Sequence, residues 1–195
     1  RCREGDLLFW FGKHASVQRV NLSGFMLPVP PELDLSVVGL TRMATVAMTS
    51  VRTASAAPGD VVVVVGQGLV GNLAAQLFAI SGAETIGVDV SERRLALAKR
   101  CGVAHTVNPR HEDLVSRVHE LTGGKGAHTV VEAIGDPRLI LGAPELVARH
   151  GELILLGTPR ATLETDVTPF LRHVHMRGVA IKGALEWLYP TLHSD

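Results

Sequence analysis

Five consecutive valines, Val61–Val65, run directly into Gly66-Gln67-Gly68-Leu69-Val70-Gly71. An apolar run with no polar face reads as a strand buried on both sides, as in a parallel sheet covered by helices. After Gly66 the period changes, and Leu69, Val70, Leu73, Ala74, Leu77 and Phe78 recur at helical spacing. Strand, glycine turn and helix start in succession suit a phosphate group. The N–H groups of a first helical turn have no intrahelical acceptor, and the helix dipole is positive at that end. Gly66 is expected to allow the tight turn, Gly68 the approach of a pyrophosphate, and Gly71 the close packing of helix on strand. The glycine spacing alone recurs by chance; the strand before it and the helix after it give it content.

The remaining chain alternates with regularity. Strands are predicted at Thr85–Asp89, His105–Val107, Thr129–Glu132, Glu152–Leu156 and Val179–Lys182. Between them helices are predicted at Glu92–Arg100, Asp113–Leu121 and Arg138–Ala148, with a further segment at Thr168–His175. Repeated strand and helix with short connections predict an α/β fold, a doubly wound six-stranded parallel sheet of order 3-2-1-4-5-6. Its ligand crosses the point where that order reverses. Upstream, residues 7–22 read as two short strands turning at Gly12-Lys13. Pro28, Pro30 and Pro31 then mark a linker without regular structure. A helix is predicted from Asp34 to about Ala56, before the turn Pro58-Gly59-Asp60.

The bulk numbers exclude several classes. Nineteen basic residues balance nineteen acidic ones, so no broad attraction to nucleic acid or anionic membrane is expected. No apolar run approaches the roughly 20 residues that span a bilayer. Two distant cysteines, Cys2 and Cys101, suit a reducing compartment, and a cytoplasmic setting is expected. Nine histidines are scattered without ligand spacing; His173 and His175 lie two apart and would not share a helix face. No metal site is expected in this chain. Cys101 before Gly102 reads as a helix C-cap.

Asp89 closes the second strand of the predicted sheet. An acid here accepts hydrogen bonds from the adenosine ribose hydroxyls and repels a 2′-phosphate, which prefers NAD over NADP. The bland alternative is a strand-ending Asp that opens a turn with Ser91. Arg93 and Arg94 follow closely, and an arginine there can accommodate a 2′-phosphate; beside Asp89, one of them is expected on the ribose edge.

An ordered set of matches along the chain resembles the medium-chain dehydrogenase/reductases, the zinc-type alcohol and polyol dehydrogenases. It comprises Gly59-Asp60-Val61, the Gly66–Gly71 turn, Val88-Asp89-Val90-Ser91 with Arg94, Cys101–His105, Val130–Gly135, Gly151-Glu152-Leu153 with Leu156-Gly157, and Lys182-Gly183-Ala184. The resemblance implies two domains: residues 1–33 as a remnant and linker of a GroES-like catalytic domain, and residues 34–195 as the Rossmann coenzyme domain. It also implies that the chain, which opens at Arg1, is truncated at both ends and inactive alone.

The resemblance carries coenzyme roles to particular positions. These are Thr45 and Val70 near the nicotinamide, Ile134 on the adenine side, and Leu156, Gly157 and Thr158 by the ring and its carboxamide. Backbone near Ala184 contributes on the same side, and Leu69, Val90 and Arg94 complete the coenzyme set. For the apolar members, ordinary core packing is the competing reading. Thr41-Arg42 departs from the family, whose members place Cys, or Glu before Pro, close to the catalytic zinc; a neutral hydroxyl is a poor zinc ligand. The implied partners are an alcohol or polyol substrate and further copies of the chain, paired through the sheet edge near Ala184–Tyr189. Two rivals stay open: an S-adenosylmethionine-dependent methyltransferase, which also uses a glycine loop and an acid, and a non-catalytic nucleotide sensor.

Overall fold

The computed structural model describes residues 2–21 and 25–188. They divide into two compact units, one ending at Arg42 and one starting at Met43.

In the first unit β1 (Leu8–Trp10) pairs antiparallel with β2 (Met26–Pro28), in the register Leu8↔Pro28, Phe9↔Leu27, Trp10↔Met26. This corrects both N-terminal expectations. No strand forms over Ala15–Asn21, where Val17 is 86% exposed, and the proline segment does contribute a strand. Aromatic contacts favour the longer-range pairing: Phe11 stacks on Phe25 at 4.8 Å and meets Phe9 edge-on at 5.9 Å. Pro28 closes its strand, so its missing N–H breaks no interior ladder, and the Val29 N–H donates to Leu7 O at 2.8 Å instead. The guanidinium of Arg42 lies over the Phe11 ring at 4.7 Å.

The single helix expected from Asp34 is two. Asp34 caps α1 (Leu35–Val38) by accepting from Ser36 N at 2.8 Å, and α2 (Thr41–Thr53) begins after a turn at Gly39-Leu40. α2 stops short of Ala56 because the sheet takes over its last polar groups. Lys182 Nζ donates to Thr53 O at 3.3 Å, and Ser55 N donates to Glu152 Oε1 at 2.6 Å.

The second unit is built on six parallel strands, β3 (Val61–Val65), β4 (Glu84–Val88), β5 (His105–Val107), β6 (Ala127–Glu132), β7 (Val147–Leu155) and β8 (Ala180–Gly183). Their order, β5-β4-β3-β6-β7-β8, is the doubly wound order expected. The valine run shows why the sheet needs covering on both sides. Val63 and Val65 pack with Val118 of α5 (Leu114–Leu121) and with Leu146. Val62 and Val64 pack instead with Phe78 of α3 (Leu69–Ile80) and Ala98 of α4 (Glu92–Arg100). Asp113 falls just outside α5 and caps it, accepting from Ser116 N at 2.8 Å.

The helix expected over Arg138–Ala148 is shorter. α6 covers Pro137–Gly142, a 3₁₀ turn holds Ala143–Leu146, and β7 begins at Val147. Pro144 cannot donate inside an α-helix, so the chain tightens and turns into the sheet. The register against β6 shifts between Ala127 and Thr129, and near that irregularity His150 takes φ +61°. α7 (Thr168–Arg177) ends at Gly178 in the left-handed region and leads to β8.

Candidate functional site

The sheet order reverses between β3 and β6, and the residues that end these strands build the site. Gly66 turns the chain at φ +94°, while its N–H donates to Val88 O at 2.7 Å and keeps the turn against β4. A Cβ on Gly66 would stand 2.5 Å from Ile134 Cγ1. Gly68 is the N-cap of α3, with no side chain to accept from the first turn and nothing within 4 Å of where a Cβ would be. The first helical bond runs from Asn72 N to Gly68 O at 2.9 Å. The preceding N–H groups therefore face outward from the helix end, beside open space that suits a phosphate. Gly71 is the tightest of the three: a Cβ there would overlap the Gly66 carbonyl oxygen and stand 3.2 Å from Ala133 Cβ.

Asp89 follows β4 and is 6% exposed. Its Oδ2 accepts from Gln67 N in the glycine turn at 2.8 Å, and its Oδ1 accepts from Ser91 N at 2.9 Å. Arg94 Nη1 lies 3.5 Å from Oδ2 and is largely exposed. The acid is thus anchored to the turn and keeps lone pairs for a further donor. Gln67 is itself buried. Its Nε2 donates to Val64 O at 2.9 Å, and it fills the space above Gly87, where a Cβ would meet Gln67 Cδ at 2.9 Å.

Two clefts flank the start of α3. One, of about 1050 Å³, is walled by Gln67, Gly68, Leu69, Ser91, Arg93 and Arg94, and extends between α3 and α4 past Asn72, Gln76, Leu97 and Arg100. The other, of about 470 Å³, is walled by Val70, Ile134, Gly135, Leu156, Gly157 and Thr158, with Val46, Asp136 and Arg160. The structure therefore brings Val70, Ile134, Leu156, Gly157 and Thr158 together on one side, and Gly68, Leu69 and Arg94 on the other. Ile134, assigned to the adenine side, lies over Gly66 and walls the same cleft as Val70.

Beyond Gly66, Gly71 and Asp89, which shape the turn without lining either cleft, three assigned residues also wall neither. Thr45 donates from Oγ1 to Glu186 Oε1 at 3.3 Å, Ala184 is buried with its N–H on Leu155 O at 2.9 Å, and Val90 is half-exposed beyond Asp89. Gln67, Val46, Asp136, Arg160, Asn72, Gln76 and Arg100 escaped the sequence reading. The i, i+3, i+4, i+7 stripes Leu69-Asn72-Leu73-Gln76 and Arg93-Ala96-Leu97-Arg100 were the available signal for the first cleft.

Glu132 closes β6 beneath the second cleft and is fully buried. Its Oε1 accepts from Ile134 N and Gly135 N, each at 3.0 Å, and its Oε2 from Gly135 N at 2.8 Å. Burial pushes its carboxyl above the ordinary range, and these N–H groups offset part of that rise. Among the described residues no three His, Cys, Asp or Glu side chains gather as metal ligands. Among the described residues, the site offers no ligand set for zinc. Among the described residues, no helix is long and apolar enough to cross a membrane.

The sheet order, the glycine turn and the acid after β4 define a Rossmann-type domain. The chain belongs to the zinc-binding dehydrogenase family, whose sequence model matches residues 70–191. It is 33% identical over 144 residues to an uncharacterized zinc-type alcohol dehydrogenase-like protein of Haemophilus influenzae, covering 73% of this chain and 42% of that protein. It is 35% identical over 127 residues to an NAD-dependent alcohol dehydrogenase of Sulfurisphaera tokodaii, covering 64% of this chain and 37% of that one. Among solved structures it matches the fold of a zinc-binding dehydrogenase of Sinorhizobium meliloti bound to NADP. There the TM-score is 0.75 at 21% identity, covering 82% of this chain and 47% of that one. The chain spans about two fifths of the length of the curated relatives it matches.

Proposed function

We propose that this chain is the coenzyme-holding part of an NAD-dependent dehydrogenase that oxidises a small alcohol or polyol. The observation that carries the reading is the joint between Asp89 and the glycine turn. A buried carboxylate, hydrogen-bonded to Gln67 N at 2.8 Å, stands beside a helix start whose cap, Gly68, has no side chain. The pyrophosphate belongs at the N–H groups after Gly68, the adenosine ribose at Asp89 with Arg94, Ile134 toward the adenine, and the nicotinamide beside Val70, Leu156, Gly157 and Thr158. Bound there, the coenzyme would supply the acceptor for the hydride of the carbinol carbon. This chain's residues bind the coenzyme, fix the ring's orientation and cover one side of it. The groups that polarise the substrate oxygen, and any zinc, belong to the GroES-like part of the parent protein, of which residues 1–33 are a remnant.

The fixed negative charge of Asp89 supports NAD over NADP. A like charge at about 4 Å is worth about 4 kcal/mol at an effective dielectric of 20, and the exposed cation of Arg94 beside Asp89, with Arg93 on the same cleft wall, offsets part of it. Two free cysteines support a cytoplasmic setting. β8 at the sheet edge, with Ile181 and Leu185 partly exposed, supports pairing of two copies; Tyr189, at the end of the expected pairing segment, lies outside the described residues.

Calorimetric titration of the chain with NAD, NADP and S-adenosylmethionine tests the reading. NAD is expected to bind tightest, and S-adenosylmethionine binding without NAD binding would sink it. Asp89→Gly is expected to move the NAD/NADP affinity ratio toward NADP by about tenfold or more; an unmoved ratio removes Asp89 from the site.

A further inference from the structure

We propose that the carboxylate of Glu186 stands at the nicotinamide end of the site and makes this chain hold the oxidised coenzyme in preference to the reduced one. The inference rests on the coenzyme reading above. β8 leaves the sheet at the same end as the glycine turn. Gly183 pairs with Leu155 of β7, and Ala184 N donates to Leu155 O at 2.9 Å. Leu156, Gly157 and Thr158, which follow Leu155 directly, wall the smaller cleft on the side given to the nicotinamide.

Two residues beyond Ala184 a 3₁₀ turn begins, Glu186–Leu188. Its first side chain turns back onto α2: Glu186 Oε1 accepts from Thr45 Oγ1 at 3.3 Å, and the contact is partly buried. Val46, the neighbour of Thr45 in α2, is itself a wall of the smaller cleft. The carboxylate is therefore tied to the rim of that cleft twice, by the chain that leaves β8 and by α2.

Only one end of the coenzyme changes charge. The nicotinamide ring carries one positive charge in NAD and none in NADH, the added hydride having neutralised it, while the pyrophosphate and adenosine are the same in both. A carboxylate at the rim attracts the cationic ring and gains nothing from the neutral one. The Thr45 hydroxyl fixes the carboxylate in place without cancelling its charge. Partial burial keeps the attraction stronger than it is in bulk water. Asp136 and Arg160 also wall the cleft, with opposite charges, and both stay in place when Glu186 is changed. Arg93 and Arg94 wall the other cleft, toward the end whose charge is constant. A site that favours NAD releases NADH the more readily, which suits a protein working in the direction of alcohol oxidation.

The test is calorimetric titration of the full chain with NAD, NADH and ADP-ribose, which lacks the nicotinamide. Glu186→Gln removes the charge at almost unchanged size. It is expected to weaken NAD by about threefold to tenfold and to leave NADH and ADP-ribose within about twofold, so that the NAD/NADH affinity ratio falls. Glu186→Asp, which keeps the charge, is expected to retain most of that ratio, as a purely steric role would not. If Glu186→Gln fails to fold, Glu186→Ala is read in the same way. An unmoved ratio, or equal weakening of NAD and NADH, overturns the role of the charge. A wild type that binds none of the three ligands overturns the coenzyme reading, and this inference with it.

Discussion

Gly68 and Gly71 stand three residues apart in one turn, and the same added methyl should have opposite consequences at the two. At Gly71 the new Cβ would overlap the Gly66 carbonyl oxygen, stand 3.0 Å from the Gly66 carbonyl carbon and 3.2 Å from Ala133 Cβ. Carbon atoms in contact prefer about 3.5–4.0 Å, so the first turn of α3 must retreat from β3 and β6 together. Overpacking of this kind costs about 1–3 kcal/mol. In a helix interior Ala otherwise gains about 0.8–1.0 kcal/mol over Gly, which trims the loss without reversing it. The net loss is then up to about 2 kcal/mol, and at about 2–4 °C per kcal/mol for a domain of this size the thermal midpoint of Gly71→Ala should fall by up to about 8 °C. At Gly68 the backbone is at φ −67° and ψ −173°, open to any residue, and nothing lies within 4 Å of the new methyl. Losing a glycine cap and gaining a stiffer unfolded chain are each below about 1 kcal/mol and oppose one another, so its midpoint should hardly move. The methyl would instead stand where the pyrophosphate approaches, and NAD affinity should fall by about tenfold or more. Thermal denaturation and calorimetric titration of the two variants separate these effects. A Gly68→Ala protein that melts as early as Gly71→Ala yet binds NAD normally would refute the assignment of the open face to the ligand.

Two further predictions concern stability. Burial pushes the Glu152 carboxyl up, but Lys182 at 2.6 Å, Ser55 N and Thr129 hold it below its ordinary value; its contribution is therefore full above the unfolded pKa near 4.5 and lost as pH falls through the folded value. Lys182→Met should cost about 1–3 kcal/mol, below the usual figure for a buried pair because Lys182 is 37% exposed, and should reverse the sign of this term so that the deficit shrinks below pH ~5; a deficit that grows on acidification contradicts the role given to Lys182. His150 holds φ +61° with its ring against Gly178, and since the left-handed region costs a non-glycine residue about 1–2 kcal/mol, His150→Gly should raise the thermal midpoint by about 2–4 °C. A lower midpoint would mean that the ring contact outweighs the backbone strain.

What was legible in the sequence was whatever depended on short-range pattern. The valines of β3 announce two covered faces, α4 occupies the residues its charges and Leu95, Ala96 and Leu97 outline, and the alternation that follows gives the strand order through the rules for right-handed crossovers. Long-range choice was not legible. Phe11 selects Phe25 across a span with no periodic signal, so β2 forms in a segment whose prolines argued against it. Nor could the end of α2 be read, because Glu152 and Lys182, 97 and 129 residues from the groups they meet, supply its last partners. Pro144 was visible, but its effect depends on β7 being ready to receive the chain at Val147. Within the site, the spacing of Gly66, Gly68, Gly71 and Asp89 was readable, whereas Gln67 looked like a free position between glycines. The clue lay in Gly87: a glycine inside a buried strand marks a place where another group comes close, and that group is the Gln67 side chain.

Asp89, just after β4, and Glu132, the last residue of β6, stand on either side of β3 and divide the labour at the carboxyl end of the sheet. Both carboxylates are buried and both are held by backbone N–H groups. Asp89 reaches across to the glycine turn, has an exposed arginine at its side and adjoins the larger cleft, so it is placed to meet a ligand. Glu132 turns back on its own loop, has no cation and is sealed, so it can act only through the residues it holds. A donor-rich ligand end placed at Asp89 and a planar ring placed over the loops of Glu132 would meet two different kinds of surface, one exchanging hydrogen bonds and one presenting shape. Since the glycine turn touches both, through Gln67 N on Asp89 and Gly66 under Ile134, it is braced from both sides of β3.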